Sequence, residues 1–233
     1  MTSAPAPGWI TVIGDLLEDV VAWIEAPPVA GTDNPATISR TRGGSGANVA
    51  AAVALAGGRA RFIGRVGDDP AGYTLTDQLD QAGVQVRVQR AGTTGSVVVL
   101  VDPSAERTMF PYRSAAGELE QIDPRWLGDT ALVHVPAYGL LTQTARSAIT
   151  NAAAIVRAAG GIVTVDLSAT TVIQHFGPLE LCQLLEQLQP HVVFANVDEA
   201  EALGLSTPST VQWTTLIKDG RRPARIVRPD GSV

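Results

Sequence analysis

Three glycines and an asparagine stand directly before a run of small residues in "TRGGSGANVAAAVALAGG", Thr41 to Gly58. Glycine-rich turns at helix starts often hold anions, because helix N-termini present backbone N–H groups and a partial positive charge. A P-loop would need a lysine after the last glycine, but Ala47 follows Gly46. A dinucleotide loop would need G-x-G-x-x-G/A directly after the first strand. Here Val49 takes the third small position, and the first apolar strand closes earlier, at Gly14. The remaining chemistry is that of backbone amides and the Asn48 carboxamide, which both donates to and accepts from a hydroxyl and so suits a polyol. A purely structural role, with Asn48 capping the turn, is the alternative.

Other residue types exclude more than they suggest. His134, His175 and His191 lack metal-ligand spacing and read as structural. Cys182 is the single cysteine and lies in the helical run "LELCQLLEQL", so no disulfide framework exists and a core position in a reducing, cytoplasmic setting is expected. Net charge is −6 over 233 residues, with Lys218 the one lysine. This balance gives no support to nucleic-acid or anionic-membrane partners. No stretch reaches the ~20 apolar residues of a membrane span, and "MTSAPAPGWI" lacks the features of a signal peptide.

The elements that would position this chemistry alternate. "WITVIG", "RARFIGRVG", "VQVRVQR", "TALVHVPAY", "IVTVDLS" and "HVVFANV" read as strands. Helices are expected from about Gly46 to Leu55, over "PAGYTLTDQLDQAG", "TQTARSAITNAAAIVRAAGG" and "PLELCQLLEQLQP", and over "DEAEALG". Residues 208–233 suggest a short helix and one or two strands. Such alternation predicts an α/β fold with a mostly parallel sheet covered on both faces. Two helix-free stretches, about 19–42 and 96–113, break the rhythm and are expected to pair into a small separate sheet or lid.

Read together, these segments resemble the PfkB/ribokinase family of carbohydrate and nucleoside kinases. "VIGDLLEDVV" is similar to the family's first strand, whose trailing aspartate, here Asp19, binds sugar hydroxyls. "GGSGANVAAAVALAGGRARFIGRVGDDPAG" is similar to its N-terminal signature, and "TGSVVVLVDPSAERTMFPYRSAA" to the second lid segment. "FANVDEAEALG" resembles the N-x-x-E motif, and "TLIKDG" the strand end at the nucleotide. The resemblance implies a ribokinase-like three-layer sandwich with a small β-lid, residues 1–233 forming one incomplete domain. It implies ATP and Mg2+ as cofactors and a sugar or nucleoside as substrate. Substrate contacts would come from Asp19, Gly43, Gly44, Ser45, Asn48 and Arg107. Asn196, Lys218 and Gly220 would lie at the nucleotide, with Glu199 supporting the metal. Arg107 and Arg113 are read either as reaching an anionic substrate group or as solvated lid residues. Asp166 either faces the phosphates or closes a strand-end turn. A homodimer through the lid is expected.

The family's C-terminal D-T-x-G-A-G-D signature, which supplies the catalytic base and an anion hole, is not found before Val233, so no catalytic residue is assigned within the chain. Asp230-Gly231 reads as a turn. A fragment of a kinase, a chain completed by another chain, and a catalytically inactive sugar-binding or dimerising module are the three readings. An apolar face left uncovered on the last helices and strand is a further expectation. Ser45 and Pro136 differ from ribokinase itself, which argues against D-ribose.

Overall fold

The computed structural model describes residues 8–205, 211–230 and 232. The reading of residues 1–7, and that of Gly231 in the Asp230-Gly231 turn, lie outside these residues. The chain folds as an eight-stranded sheet flanked by helices, with a second, four-stranded sheet beside it.

Strand β1 (Trp9–Ile13) leads into the second sheet through β2 (Leu17–Ile24) and β3 (Ala36–Gly43). Then come α1 (Ser45–Leu55), β4 (Ala60–Val66), α2 (Pro70–Gln81) and β5 (Gln85–Arg90), returning to the main sheet. The chain goes out again through β6 (Ser96–Val101) and β7 (Arg107–Tyr112). The remainder alternates: β8 (Thr130–Pro136), α3 (Gln143–Ala158), β9 (Ile162–Asp166), α4 (Thr170–Phe176), α5 (Pro178–Leu188), β10 (Val192–Asn196) and α6 (Val197–Ala202). Strands β11 (Thr214–Asp219) and β12 (Arg222–Val227) complete it. In space the main sheet runs β12-β11-β10-β9-β8-β1-β4-β5, with β11–β12 its antiparallel pair. The second sheet runs β3-β2-β6-β7, drawn from the two helix-free stretches.

One expectation needs correction. The stretch from residue 170 to 176, not expected to be helical, forms α4, because Val172, Ile173 and Phe176 gain burial in the core that outweighs their weak helix propensity. Of the segment after residue 208 where a short helix and one or two strands were expected, residues 208–210 lie outside the described residues, and the described part holds β11, β12 and turns.

The two faces of the main sheet are covered unequally. On one, Val133, Val135, Val163, Val165, Val193, Ala195 and Ile217 are fully buried in the cluster that contains residues of α3 to α6. On the other, α1 and α2 pack on β1 and β4 through Ala47, Ala50, Leu75 and Leu79 against Val12 and Phe62. Beyond β8 this face stays partly open: Ile162 is 42% and Ile226 41% exposed, and Phe194 and Leu216 between them are half-buried. The apolar exposure expected on the last elements thus falls on the sheet. His134 lies on this face, its Nδ1 2.9 Å from Thr164 Oγ1, packed edge-on to Phe194; burial holds its pKa below the ordinary histidine range.

Candidate functional site

The candidate residues lie at the carboxyl ends of the parallel strands, where open α/β sheets bind ligands, except Asp19 and Arg107, which the structure places on β2 and β7 of the second sheet. At the end of β1, Gly14 meets Gly46 backbone to backbone: a Cβ on Gly46 would stand 2.9 Å from the Gly14 Cα. Gly44 holds φ 95°, a left-handed value that favours glycine, and precedes α1 as its N-cap. The turn amides are not all free for a ligand, as the sequence had suggested. Gly46 N–H donates to Asp15 Oδ1 at 3.1 Å and Ala47 N–H to the Asp15 carbonyl at 3.1 Å. Asp15 therefore does the capping, and Asn48, inside the helix, does not.

Asp19, on β2, is half-buried with its carboxylate above Gly43, where any Cβ would occupy the carboxylate's place. Burial pushes the Asp19 pKa up, and the nearby Asp15 charge adds to this, while Arg107 and Arg42 pull it down. Arg42 also donates to Asn48 Oδ1 at 3.2 Å. Arg42 thus bonds the carboxamide of residue 48 and acts on the carboxylate of residue 19 by its charge alone, with Gly43, Gly44 and Ser45 joining β3 to α1 between them. Arg107, exposed on β7, reaches this group by its charge. Arg113, left open between solvent and an anion, pairs instead with Asp15 and lies 4.1 Å from the Tyr138 ring centroid.

A second group occupies the ends of β9, β10 and β11. Lys218 Nζ is 2.7 Å from Asp166 Oδ2. Asp166 also accepts from the Ser168 amide at 2.8 Å, which is the strand-end turn contact weighed for it, and its pairing with Lys218 was not foreseen. Asn196 and Glu199 form a capping box at α6: Glu199 N–H donates to Asn196 Oδ1, and Asn196 N–H and Nδ2 donate to the two Glu199 oxygens at 2.8 and 2.9 Å. Glu199 is 2% exposed. Its pKa is raised by burial, countered by the Asn196 amide and raised further by Asp166. Gly220 turns at φ 57° beyond β11.

The two groups adjoin at Tyr138, just after β8. Its phenol pKa is raised by burial, lowered by Arg113, and raised again by Asp15, Glu199 and Asp166. Tyr138, Asp15 and Arg42 escaped the sequence reading. Asp15 carries one usable signal, an acid directly after the glycine that closes the first strand.

The comparisons to known proteins bear on the family and the fold. A profile for pfkB family carbohydrate kinases matches residues 10–215. A fructokinase from Klebsiella pneumoniae is 35% identical over 166 residues, covering 68% of this chain and 50% of that protein. The chain spans about half the length of the curated relatives it matches. Among solved structures, adenosine kinase from Sinorhizobium meliloti aligns with a TM-score of 0.81 at 24% identity, over 96% of this chain and 78% of that one. A fructokinase from Xylella fastidiosa with bound ATP gives 0.79 at 22% identity, over 97% and 76%. The fold is ribokinase-like, and the chain belongs to the pfkB family of carbohydrate kinases.

Proposed function

We propose that the chain forms the polyol-binding and phosphate-facing part of a kinase that phosphorylates a hydroxymethyl group of a sugar or nucleoside. The observation that carries this reading is the Asp19 carboxylate seated over Gly43, at the start of the Gly43–Ser45 junction that leads to Asn48, with Arg42 bonded to Asn48 and acting on Asp19 by its charge. A carboxylate accepts from neighbouring hydroxyls while a carboxamide both donates and accepts, so together they bind a polyol in one orientation. The second sheet, joined to the site through β2, would exclude water and keep the sugar oxygen as acceptor. The names of the relatives, fructokinases and adenosine kinases, favour the same substrate classes.

Bound ATP with magnesium would supply the transferable phosphoryl group. Lys218, about half exposed, is suited to a phosphate oxygen, beside Asn196 and Gly220. Asp166 offers an oxygen for a hard cation, directly or through water. Both Glu199 oxygens are already engaged by Asn196, so Glu199 would support the ion through that neighbour or a water. No group of three or more metal-ligating side chains occurs among the described residues, which suits an ion held largely by water and phosphate oxygens. No helix among the described residues is long and apolar enough to cross a membrane. A cytoplasmic setting, where ATP is abundant, fits the lone thiol.

A thermal-shift screen of neutral sugars and nucleosides, with and without Mg-ATP, tests the reading. Stabilisation by a polyol that Asp19→Ala and Asn48→Ala both remove is expected; stabilisation that survives both changes rules the site out. An ATP-turnover assay on the same samples separates a kinase from a sugar-binding or dimerising module.

A further inference from the structure

Asp15 sits two residues beyond β1 with only 6% of its side chain exposed. Its Oδ1 accepts the Gly46 N–H at 3.1 Å and its Oδ2 pairs with Arg113 Nη1. The Arg113 side chain, 20% exposed, lies against the Tyr138 ring, where the sugar-side and phosphate-side groups meet. A carboxylate this buried depends on its partner: removing one member of a buried ion pair leaves an uncompensated charge. An anionic substrate group that drew Arg113 to itself would strip Asp15 of that partner. The remaining nearby guanidiniums do not replace it. Arg42 donates to Asn48, and both Arg42 and Arg107 act on Asp19.

We propose that Asp15 is a specificity-determining residue, which by holding Arg113 denies a largely buried guanidinium to ligands and so selects uncharged polyols over sugar acids. The assignment rests on the polyol reading of the site above. It follows that the pocket is not intrinsically hostile to anions; its selectivity is set by one internal ion pair. An asparagine at position 15 keeps an oxygen for the Gly46 N–H but carries no charge, so it frees Arg113 for a ligand carboxylate.

Two ketoses that differ at C1 alone, D-fructose with a hydroxymethyl and 2-keto-D-gluconate with a carboxylate, provide the probes. Titration calorimetry should find the parent chain binding fructose in preference. Asp15→Asn should shift the affinity ratio toward 2-keto-D-gluconate by about ten-fold or more, the scale of a hydrogen bond to a charged group. The double change Asp15→Asn with Arg113→Gln should abolish that gain. A ratio unmoved in Asp15→Asn, with the circular-dichroism melt intact, overturns the assignment, as does a parent chain that prefers the acid. Should Asp15→Asn not fold, Arg113→Gln decides alone: unchanged weak binding of the acid supports the pair, and loss of acid affinity shows that Arg113 already reaches ligand and overturns it. If the parent binds neither ketose nor any other polyol, the polyol reading fails and this assignment falls with it; fructose binding with an unmoved ratio sinks the Asp15 assignment alone.

Discussion

Lys218 and Asp166, 52 positions apart, meet at 2.7 Å where β9 and β11 end on either side of β10. The lysine is about half exposed, so the pair is worth little to the fold, roughly 0–1 kcal/mol. Its value lies in a cation held at the edge of the site. Lys218→Met should move the melting temperature by about four degrees or less, yet weaken Mg-ATP binding by about ten-fold or more. Calorimetric titration with Mg-ATP checks this, and unchanged affinity would remove Lys218 from the phosphate role.

Asp19 is held at a cost. Its folded pKa lies above its unfolded value, mainly through burial, so the folded state binds the proton more tightly. Its contribution to stability is fully present below the unfolded pKa and is lost as pH rises through the folded one. Asp19→Asn should therefore raise stability to urea at pH 7 and flatten this part of the pH profile, while polyol binding disappears. A variant less stable than the parent at pH 7 would contradict the burial argument.

At Gly46 the glycine requirement is steric. The Cβ of an alanine would meet the Gly14 Cα at 2.9 Å and the Asp15 amide nitrogen at 3.1 Å, and neither is a flexible side-chain end. Gly46→Ala should cost about 1–3 kcal/mol by urea denaturation, with the polyol response weakened because Asp15 and the turn must move. An unchanged denaturation midpoint would show that the two backbones separate freely.

Much of this arrangement was legible because it is local. Apolar β-branched runs such as "IVTVD" read directly as buried strands, and Pro70 with the glycine after α2 bounded that helix. Asp19 was singled out through the family resemblance, and Asn48 through the glycine turn before its helix. The pairing of Asp15 with Arg113 joins residues 98 positions apart and leaves no periodic trace. The same holds for Tyr138, whose importance comes from lying between two charged groups. Helix α4 was missed because Thr170, Thr171, Val172 and Ile173 are β-branched, and only tertiary packing makes them helical.

Asp69 shows the opposite linkage from Asp19. Burial alone would raise its pKa, but the Thr94 hydroxyl and amide, at 2.6 and 2.7 Å, and the Gly72 amide, at 2.8 Å, outweigh burial and hold it below the ordinary value. The stabilisation is present above the unfolded pKa and fades as pH falls through the folded one. As N-cap of α2 and anchor of the loop before β6, Asp69 should cost about 2–4 kcal/mol when changed to alanine. Urea titrations from neutral pH downward should find the gap between parent and variant closing in acid, and a constant gap would refute the assignment of charge to these bonds.

The second sheet buries part of one face, where Trp23 and Met109 remain 50% and 59% exposed, and leaves the other open. Val97, Val99 and Val101 point inward at 3–8% exposure, whereas register places Val98 and Phe110 side by side on the outer face at 41% and 56%, with Ile38 on the same face at 65%. Apolar side chains grouped on an outer sheet face suit burial against a second copy, which is the homodimer proposed here. Because Phe110 is already exposed, Phe110→Glu should leave the melt of the monomer nearly unchanged while shifting the sedimentation profile from dimer to monomer. A parent chain that sediments as a monomer at mid-micromolar concentration would refute the dimer, and a dimer that tolerates glutamate at both Val98 and Phe110 would place its interface elsewhere.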